Sequence, residues 1–256
     1  MDRFYLPDLA GVRPGAELRL GGAEAHHLAR VKRLRPGDRV RLFDGRGAEV
    51  EAEVGPLLPG GDGVALRVVG ARVEPEAALA IDVVLGVAPP QGDRLDLVIE
   101  KGTELGMAGF FPLVARRGVV RLKGSGREAA KVEKWRRRSI EAAKQCGVAR
   151  LPELLPPMTV AEAVAWAAGR PADLRLIPHL APGARPLREV LAERAAAAAP
   201  PPAGALVLIG PEGGFADDEV ATAVAGGFAV VRLAPTVLRV ETAAIAALAA
   251  LAVAYG

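Results

Sequence analysis

The chain has 256 residues, of which 51% are hydrophobic and 25% charged, with a formal net charge of +3. That is ample apolar material for a packed core, and it excludes a disordered, fibrous or disulfide-stapled chain. The one cysteine, Cys146, allows no disulfide framework and points to a reducing cytoplasm, while the small positive excess permits a nucleic-acid partner without demanding one. The start, Met1-Asp-Arg-Phe-Tyr5, lacks the apolar core of a signal peptide. The longest apolar run, Ala243–Tyr255, is shorter than the roughly 20 residues a membrane span needs, so no membrane partner is expected.

In chain order, residues 1–73 predict a β-rich domain. Arg39–Phe43 alternates, Asp44-Gly45 marks a turn, and Ala48–Val54 alternates again. Gly60–Gly63 is a further turn before Val64–Val73. Strands this short with turns this frequent describe a small barrel. Inside it, Glu24–Leu34 reads as one short helix, with Leu28, Val31 and Leu34 on one face and His26, Arg30 and Arg33 on another. With His27, Lys32, Arg35 and Arg46 these basic residues form the densest positive patch of the amino-terminal third. It is either a phosphate-contacting surface for RNA or a solvated face. The paired histidines are short of company for a metal: the third histidine is His179, Cys146 stands alone, and structural zinc takes four N or S ligands. No metal is expected.

Residues 74–80 read as a linker, and residues 74–256 as a second domain. From Ile81 the pattern becomes strands alternating with helices, the mark of an α/β parallel sheet. Ile81–Val87 is a predicted strand, Arg94–Leu105 a helix ending at Gly106, and Phe110–Val114 a strand. Arg116 and Arg117 follow that strand and either touch RNA or are solvated. Arg127–Cys146 is a long basic helix ending at Gly147. Val160–Ala168 is a helix, Leu174–Ile177 a strand, and Leu187–Ala199 an Ala-rich helix. No internal repeat occurs.

The chemistry gathers in the last fifty residues. Leu206–Ile209 is a short apolar strand, and the chain then breaks at Gly210-Pro211 and again at Gly213-Gly214. Asp217 and Asp218 suit the first turn of a following helix. This strand, glycine-rich turn and helix start is where an α/β domain takes a small ligand, at the carboxyl ends of its strands. The alternative is a tight strand–helix turn with no ligand. Neither a Gly-x-Gly-x-x-Gly nor a Gly-x-x-x-x-Gly-Lys motif occurs. Pro211 removes an amide donor and Glu212 adds negative charge, so a phosphate gains little there. A neutral adenine edge or a cationic ligand fits better. A second strand, Val230–Leu233, leads into Ala234–Ala243 and then an apolar helix to Tyr255. That helix has almost no polar face, which predicts burial on all sides, either partly against another subunit or wholly within the monomer.

The pair of motifs GPEGGF (210–215) and LAPTVLRVETA (233–243) closely resembles the SPOUT superfamily of S-adenosylmethionine-dependent RNA methyltransferases. Within it the match is to the RsmE group, which methylates N3 of a uridine in small-subunit (16S) ribosomal RNA. HHLARVKRLRPGDRVRLFDGRG (26–47), Lys101–Gly106 and Ser139–Gly147 resemble further blocks of that group, so the likeness covers nearly the whole chain. Gly102 stands where the group commonly has Ala, and Lys144 where it commonly has Glu. The resemblance implies a PUA-like β-barrel over 1–73 and a SPOUT α/β domain with a carboxy-terminal trefoil knot over 74–256. It also implies a cytoplasmic homodimer and ribosomal RNA, or the small ribosomal subunit, as partner. Another SPOUT activity, on a ribose 2′-oxygen for instance, and a non-catalytic RNA-binding protein of the same fold are the alternatives.

For S-adenosylmethionine, the resemblance places the site at Pro178 and His179, at Leu208, Ile209, Gly210, Glu212, Gly213 and Gly214, and at Leu233, Leu238, Arg239, Thr242 and Ala243. Glycines let the backbone approach adenine because they carry no Cβ. Loss of the uridine N3 proton spreads negative charge over the ring oxygens, and Arg239 is the candidate cation to stabilise it. Glu241 is expected to hold Arg239, and Gln145 completes the catalytic candidates. For Glu104, Glu141 and Gln145, helix capping or surface pairing is the competing role.

Overall fold

The structure, a computed structural model, describes residues 1–59, 63–75, 77–119, 128–170, 173–181, 183–197 and 200–256. Most of the turn expected at 60–63, Arg127, and the end of the helix expected at Leu187–Ala199 lie outside those residues. The chain forms two compact units, Met1–Ala77 with Ile140–Leu151, and Ala78–Ser139 with Pro152–Gly256.

The first unit is a five-stranded sheet of β1 (Arg3–Tyr5), β2 (Glu17–Gly21), β3 (Arg39–Phe43), β4 (Glu49–Leu57) and β5 (Gly63–Val68), in the order β1-β3-β4-β5-β2. β1 runs parallel to β3 and the other pairs are antiparallel. Alternate residues of these strands, such as Val40, Leu42, Val50 and Ala52, fill one buried core. β4 shifts register between Val54 and Leu57, and the shift accommodates Pro56, which has no N–H for a regular ladder. β5 ends at Val68, short of the expected Val73. Beyond it Val69 and Gly70 both donate to the Glu51 carbonyl, and only Val73 pairs again, with Glu49.

The single helix expected at Glu24–Leu34 is not formed. α1 (Gly22–His26) runs into one π-helical turn, His27–Val31, in which the Lys32 N–H reaches back to the His27 carbonyl at 2.9 Å. The wider turn rotates the expected face, so Leu28 stays buried while Val31 is 58% exposed. Arg33 then adopts the left-handed region at φ 55°, and the Leu34 N–H closes the end on the Leu28 carbonyl at 3.2 Å. Glycine is the usual occupant of such a terminus.

Residues 140–151 join this unit through specific bonds. The Gly47 N–H donates to the Ala149 carbonyl at 3.2 Å, and Arg3 Nη2 to the Val148 carbonyl at 2.9 Å. Lys144 Nζ donates to both carboxylate oxygens of Glu24, at 2.8 and 3.0 Å. A glutamate at 144 would oppose Glu24, which accounts physically for the lysine.

The second unit is an eight-stranded parallel sheet. Its strands are β6 (Asp82–Val87), β7 (Gly109–Val114), β8 (Glu153–Leu154), β9 (Met158–Thr159), β10 (Leu174–Pro178), β11 (Arg185–Pro186), β12 (Gly204–Ile209) and β13 (Ala229–Arg232). Their order is β11-β13-β10-β12-β6-β7-β8, with β9 paired to β7. The helices are α2 (Arg94–Glu104), α3 (Glu128–Cys146), α4 (Val160–Ala168), α5 (Leu187–Ala196), α6 (Asp217–Ala225) and α7 (Val240–Tyr255). The last turns of α3 count with the first unit.

β12 is buried at all six positions, as a central parallel strand covered on both faces must be. Its side chains alternate between two cores: Val207 and Ile209 pack with α2 and α7, Leu206 and Leu208 with α4 and α6. Gly86 makes room on the second face, since a Cβ there would lie 2.3 Å from the Phe111 ring. Gly102 has a similar cause: its Cβ would meet the Met107 methyl at 2.7 Å. α7 is buried along Val240, Ala244, Ala247, Leu248 and Leu251, but Val253 is 89% exposed, so burial on all sides is not achieved within one chain.

Candidate active site

Along the chain, β6, β7 and β8 step outward in one direction, whereas β10, β12 and β13 lie on the other side of β6. Ligands of open α/β sheets bind outside the carboxyl ends of strands near such a reversal. A cavity of about 410 Å³ opens there, lined from the ends of β10, β12 and β13. That is within the size of small-molecule sites.

The glycine turn shapes one wall. The Gly214 N–H closes on the Pro211 carbonyl at 2.8 Å, and Gly214 takes φ +71°. A Cβ on Gly210 would lie 2.8 Å from the Phe215 ring, which is itself fully buried. Phe215 meets His179 edge-on at 6.5 Å between centroids, and the His179 N–H bonds the Val231 carbonyl at 2.9 Å. Arg117 Nη1 donates to the Gly213 carbonyl at 3.2 Å. Glu219 anchors the turn from below: one carboxylate oxygen accepts from the Ala216 N–H and the other from the Arg116 N–H, both at 2.9 Å. This is half a capping box, because alanine offers no acceptor in return.

The cavity brings together Pro178, His179, Ile209, Gly210, Glu212, Gly213, Gly214, Leu233, Leu238, Arg239 and Ala243. Leu208 and Thr242 do not line it. Leu208 is one residue from Ile209, so strand alternation turns it into the opposite core, and Thr242 is exposed on α7. Arg239 is the N-cap residue of α7 and is exposed, with no ion pair among the described residues. Glu241 does not hold it. Residues two apart on a helix diverge, and the carboxylate of Glu241 faces Arg94 Nε at 3.8 Å. Gln145 is exposed on α3 and is not among the lining residues. Glu104 bonds Lys101 at 2.8 Å, the surface pairing that competed with a catalytic role, and that bond holds the Lys101 pKa above its usual value. Glu141 is exposed.

Leu180, Phe215, Arg232, Thr236 and Val237 also line the cavity, and sequence reasoning missed them. Phe215, Thr236 and Val237 lie inside the two motifs, Arg232 stands just before the second, and Leu180 follows His179; that placement was their signal. Glu219 and Arg94 were missed as well; the alanine at the α6 cap hid the first, and the second acts across the fold.

In the first unit, His26 and Arg30 border a second cavity of about 380 Å³. Arg30, Arg33, Arg35 and Arg46 are exposed, and Lys32 pairs with Asp2 at 2.6 Å. His27 instead packs edge-on against Phe4 at 5.9 Å between centroids. Burial, and then the Lys144 ammonium, lower its pKa from 6.5. Arg116 and Arg117 are exposed beside the glycine turn, and Arg116 pairs with Asp218 at 2.7 Å. Among the described residues no group of three or more His, Cys, Asp or Glu could hold a metal, and no helix is long and apolar enough to cross a membrane.

A family model for the RNA methyltransferase domain matches residues 77–252, and one for the RNA methyltransferase PUA domain matches 20–56. The ribosomal RNA small subunit methyltransferase E of Mycobacterium bovis is 35% identical over 257 aligned positions, covering 98% of this chain and 90% of that one. Its Synechocystis counterpart is 33% identical, covering 91% and 72%. Among solved structures, the small subunit methyltransferase E of Neisseria gonorrhoeae, bound to S-adenosyl methionine, superimposes with a TM-score of 0.82 at 28% identity, covering 100% and 98% of the two chains. A Legionella pneumophila structure with bound SAM gives 0.83 at 31% identity, covering 98% and 97%.

Proposed function

The chain belongs to the family of ribosomal RNA small subunit methyltransferases E, and we propose that it methylates N3 of a uridine in 16S ribosomal RNA with S-adenosylmethionine as donor. Bound, that donor supplies a methyl group made electrophilic by its sulfonium. The cavity suits such a molecule: its walls are mostly apolar, its turn is glycine-built, and Pro211 and Glu212 make it a poor phosphate cradle. Gly210, Gly213 and Gly214, which carry no Cβ, would let the backbone approach the adenine of that donor. Ile209, Leu233, Leu238 and Ala243 supply apolar walls, and Pro178 and His179 close the third side.

The observation that carries the reading is Arg239, an exposed guanidinium at the start of α7 on the edge of this cavity. It orients a uridine carbonyl oxygen and stabilises the negative charge left on the ring when the N3 proton passes to water. Holding N3 in line with the methyl supplies much of the remaining rate. Arg30, Arg33, Arg35 and Arg46 bind phosphates of the ribosomal RNA, and Arg116 and Arg117 those nearer the cavity. The same reading carries a trefoil-knotted carboxy-terminal backbone, a cytoplasmic setting and a homodimer. The apolar surface that α7 leaves open at Val253 supports the dimer.

The test is Arg239→Ala. Single-turnover methylation falls about 10²–10³-fold while the cofactor Kd from calorimetry changes less than about threefold. Equal losses in both would remove the catalytic role. Mass spectrometry of small subunits from a deletion strain, treated with the protein, locates the methyl; a methyl on a ribose oxygen overturns the N3 assignment.

A further inference from the structure

Arg94 opens α2, directly after the loop that leaves β6, and none of the residues singled out by motif contains it. Its side chain is 44% exposed. Its guanidinium faces two carboxylates, Glu212 on the cavity wall and Glu241 behind it: Nε is 3.8 Å from Glu241 Oε1, and Nη1 is 4.0 Å from Glu212 Oε1. Glu212 belongs to the glycine turn, and Glu241 lies in the first turn of α7, two residues after Arg239.

The two carboxylates differ in what they need. Glu212 is exposed, and a cation near it contributes little. Glu241 is only 8% exposed, and its Oε2 has no hydrogen-bond partner. The positive end of the α7 dipole eases that burial, but an ionised buried carboxylate still calls for a counter-charge. Arg94 is the cation placed to serve it. At 3.8 and 4.0 Å neither contact is yet a hydrogen bond, and a movement of about 1 Å would make both. The planar fork of an arginine can meet two carboxylates at once, which the point charge of a lysine does less well.

We propose that Arg94 is a positioning residue that ties the glycine turn to the start of α7. It holds Gly210–Gly214 and Arg239 in one arrangement across the cavity. The inference rests on the methyltransferase reading and adds to it a residue outside the cavity lining.

The experiment titrates S-adenosylmethionine calorimetrically into the full-length wild type, Arg94→Ala, Arg94→Lys and the double variant Arg94→Ala/Glu241→Gln, with thermal unfolding alongside. Arg94→Ala weakens binding about two- to fivefold, and Arg94→Lys falls between it and wild type. The double variant, which no longer buries an unpaired charge, regains thermal stability but not affinity. Recovery of affinity in the double variant would reduce Arg94 to a plain counter-charge and overturn the inference. Should Arg94→Ala fail to fold, wild-type affinity in Arg94→Lys overturns it equally. A wild type that binds no donor sinks the methyltransferase reading and this inference together, whereas tight wild-type binding that survives Arg94→Ala sinks this inference alone.

Discussion

Gly210→Ala adds a single methyl group where the structure has no room. The new Cβ would lie 2.8, 3.0 and 3.2 Å from three carbons of the Phe215 ring. Carbon–carbon contacts are most favourable at about 3.5–4.0 Å, so the nearest contact is short by roughly 0.7–1.2 Å. Phe215 is 1% exposed and cannot swing into solvent. Gly210 does not have a positive φ, so the cost is steric and not conformational. Overpacking of this kind costs about 1–3 kcal/mol. In a chain of this size each kcal/mol lowers Tm by about 2–4 °C. Both residues line the cavity, so donor affinity falls with stability. Differential scanning calorimetry and isothermal titration read the two effects. Phe215→Leu in the same chain relieves the clash, and the double variant loses less than the sum of the single losses by about 0.5–3 kcal/mol. Gly147→Ala is the control: Gly147 has φ +90° with nothing within 4 Å, so strain appears there without loss of donor affinity. An unchanged Tm and Kd in Gly210→Ala, or strict additivity with Phe215→Leu, refutes the steric account of the turn.

Two further outcomes concern the first unit. Arg33→Gly relieves the left-handed strain at φ 55° and raises stability by about 1 kcal/mol, while the slope of log affinity against log salt for an RNA fragment becomes shallower by about one unit. An unchanged slope would assign Arg33 to plain surface, and a lowered Tm would refute the strain. Burial lowers the His27 pKa in the folded state, so the fold favours the neutral ring. Its contribution is present above pH 6.5, the unfolded value, and is lost as pH falls from there through the folded pKa. Thermal unfolding across pH 5–7.5 therefore shows a steeper acid-side fall for wild type than for His27→Gln, and parallel curves would contradict the burial of that ring.

Sequence by itself determined the longer elements of the α/β unit, but not its two-residue strands β8, β9 and β11. Leu206–Ile209 and Ile81–Val87 were legible as strands because a central parallel strand is apolar on both faces, and that run appears in the sequence whatever its neighbours are. Val160–Ala168 matches its expected bounds, and its start is fixed by a purely local device, the capping box of Thr159 and Glu162. Much of the cavity lining was expected from the resemblance of the two motifs, whose residues follow the ends of β12 and β13.

Tertiary structure decided what depends on pairing and direction. The short strands β1 and β2 exist only through their partners, and three or five residues carry no period of their own. The π-helical turn redirected Val31, which a regular helix would have placed with Leu28. The same limit applies at the site. Alternation sent Leu208 away from the cavity, and helical geometry turned Glu241 from Arg239 to Arg94, a residue 147 positions earlier in the chain. A local pattern says which residues share a face; only the packed chain says what that face meets, because the contacts that settle it join residues that the sequence keeps far apart.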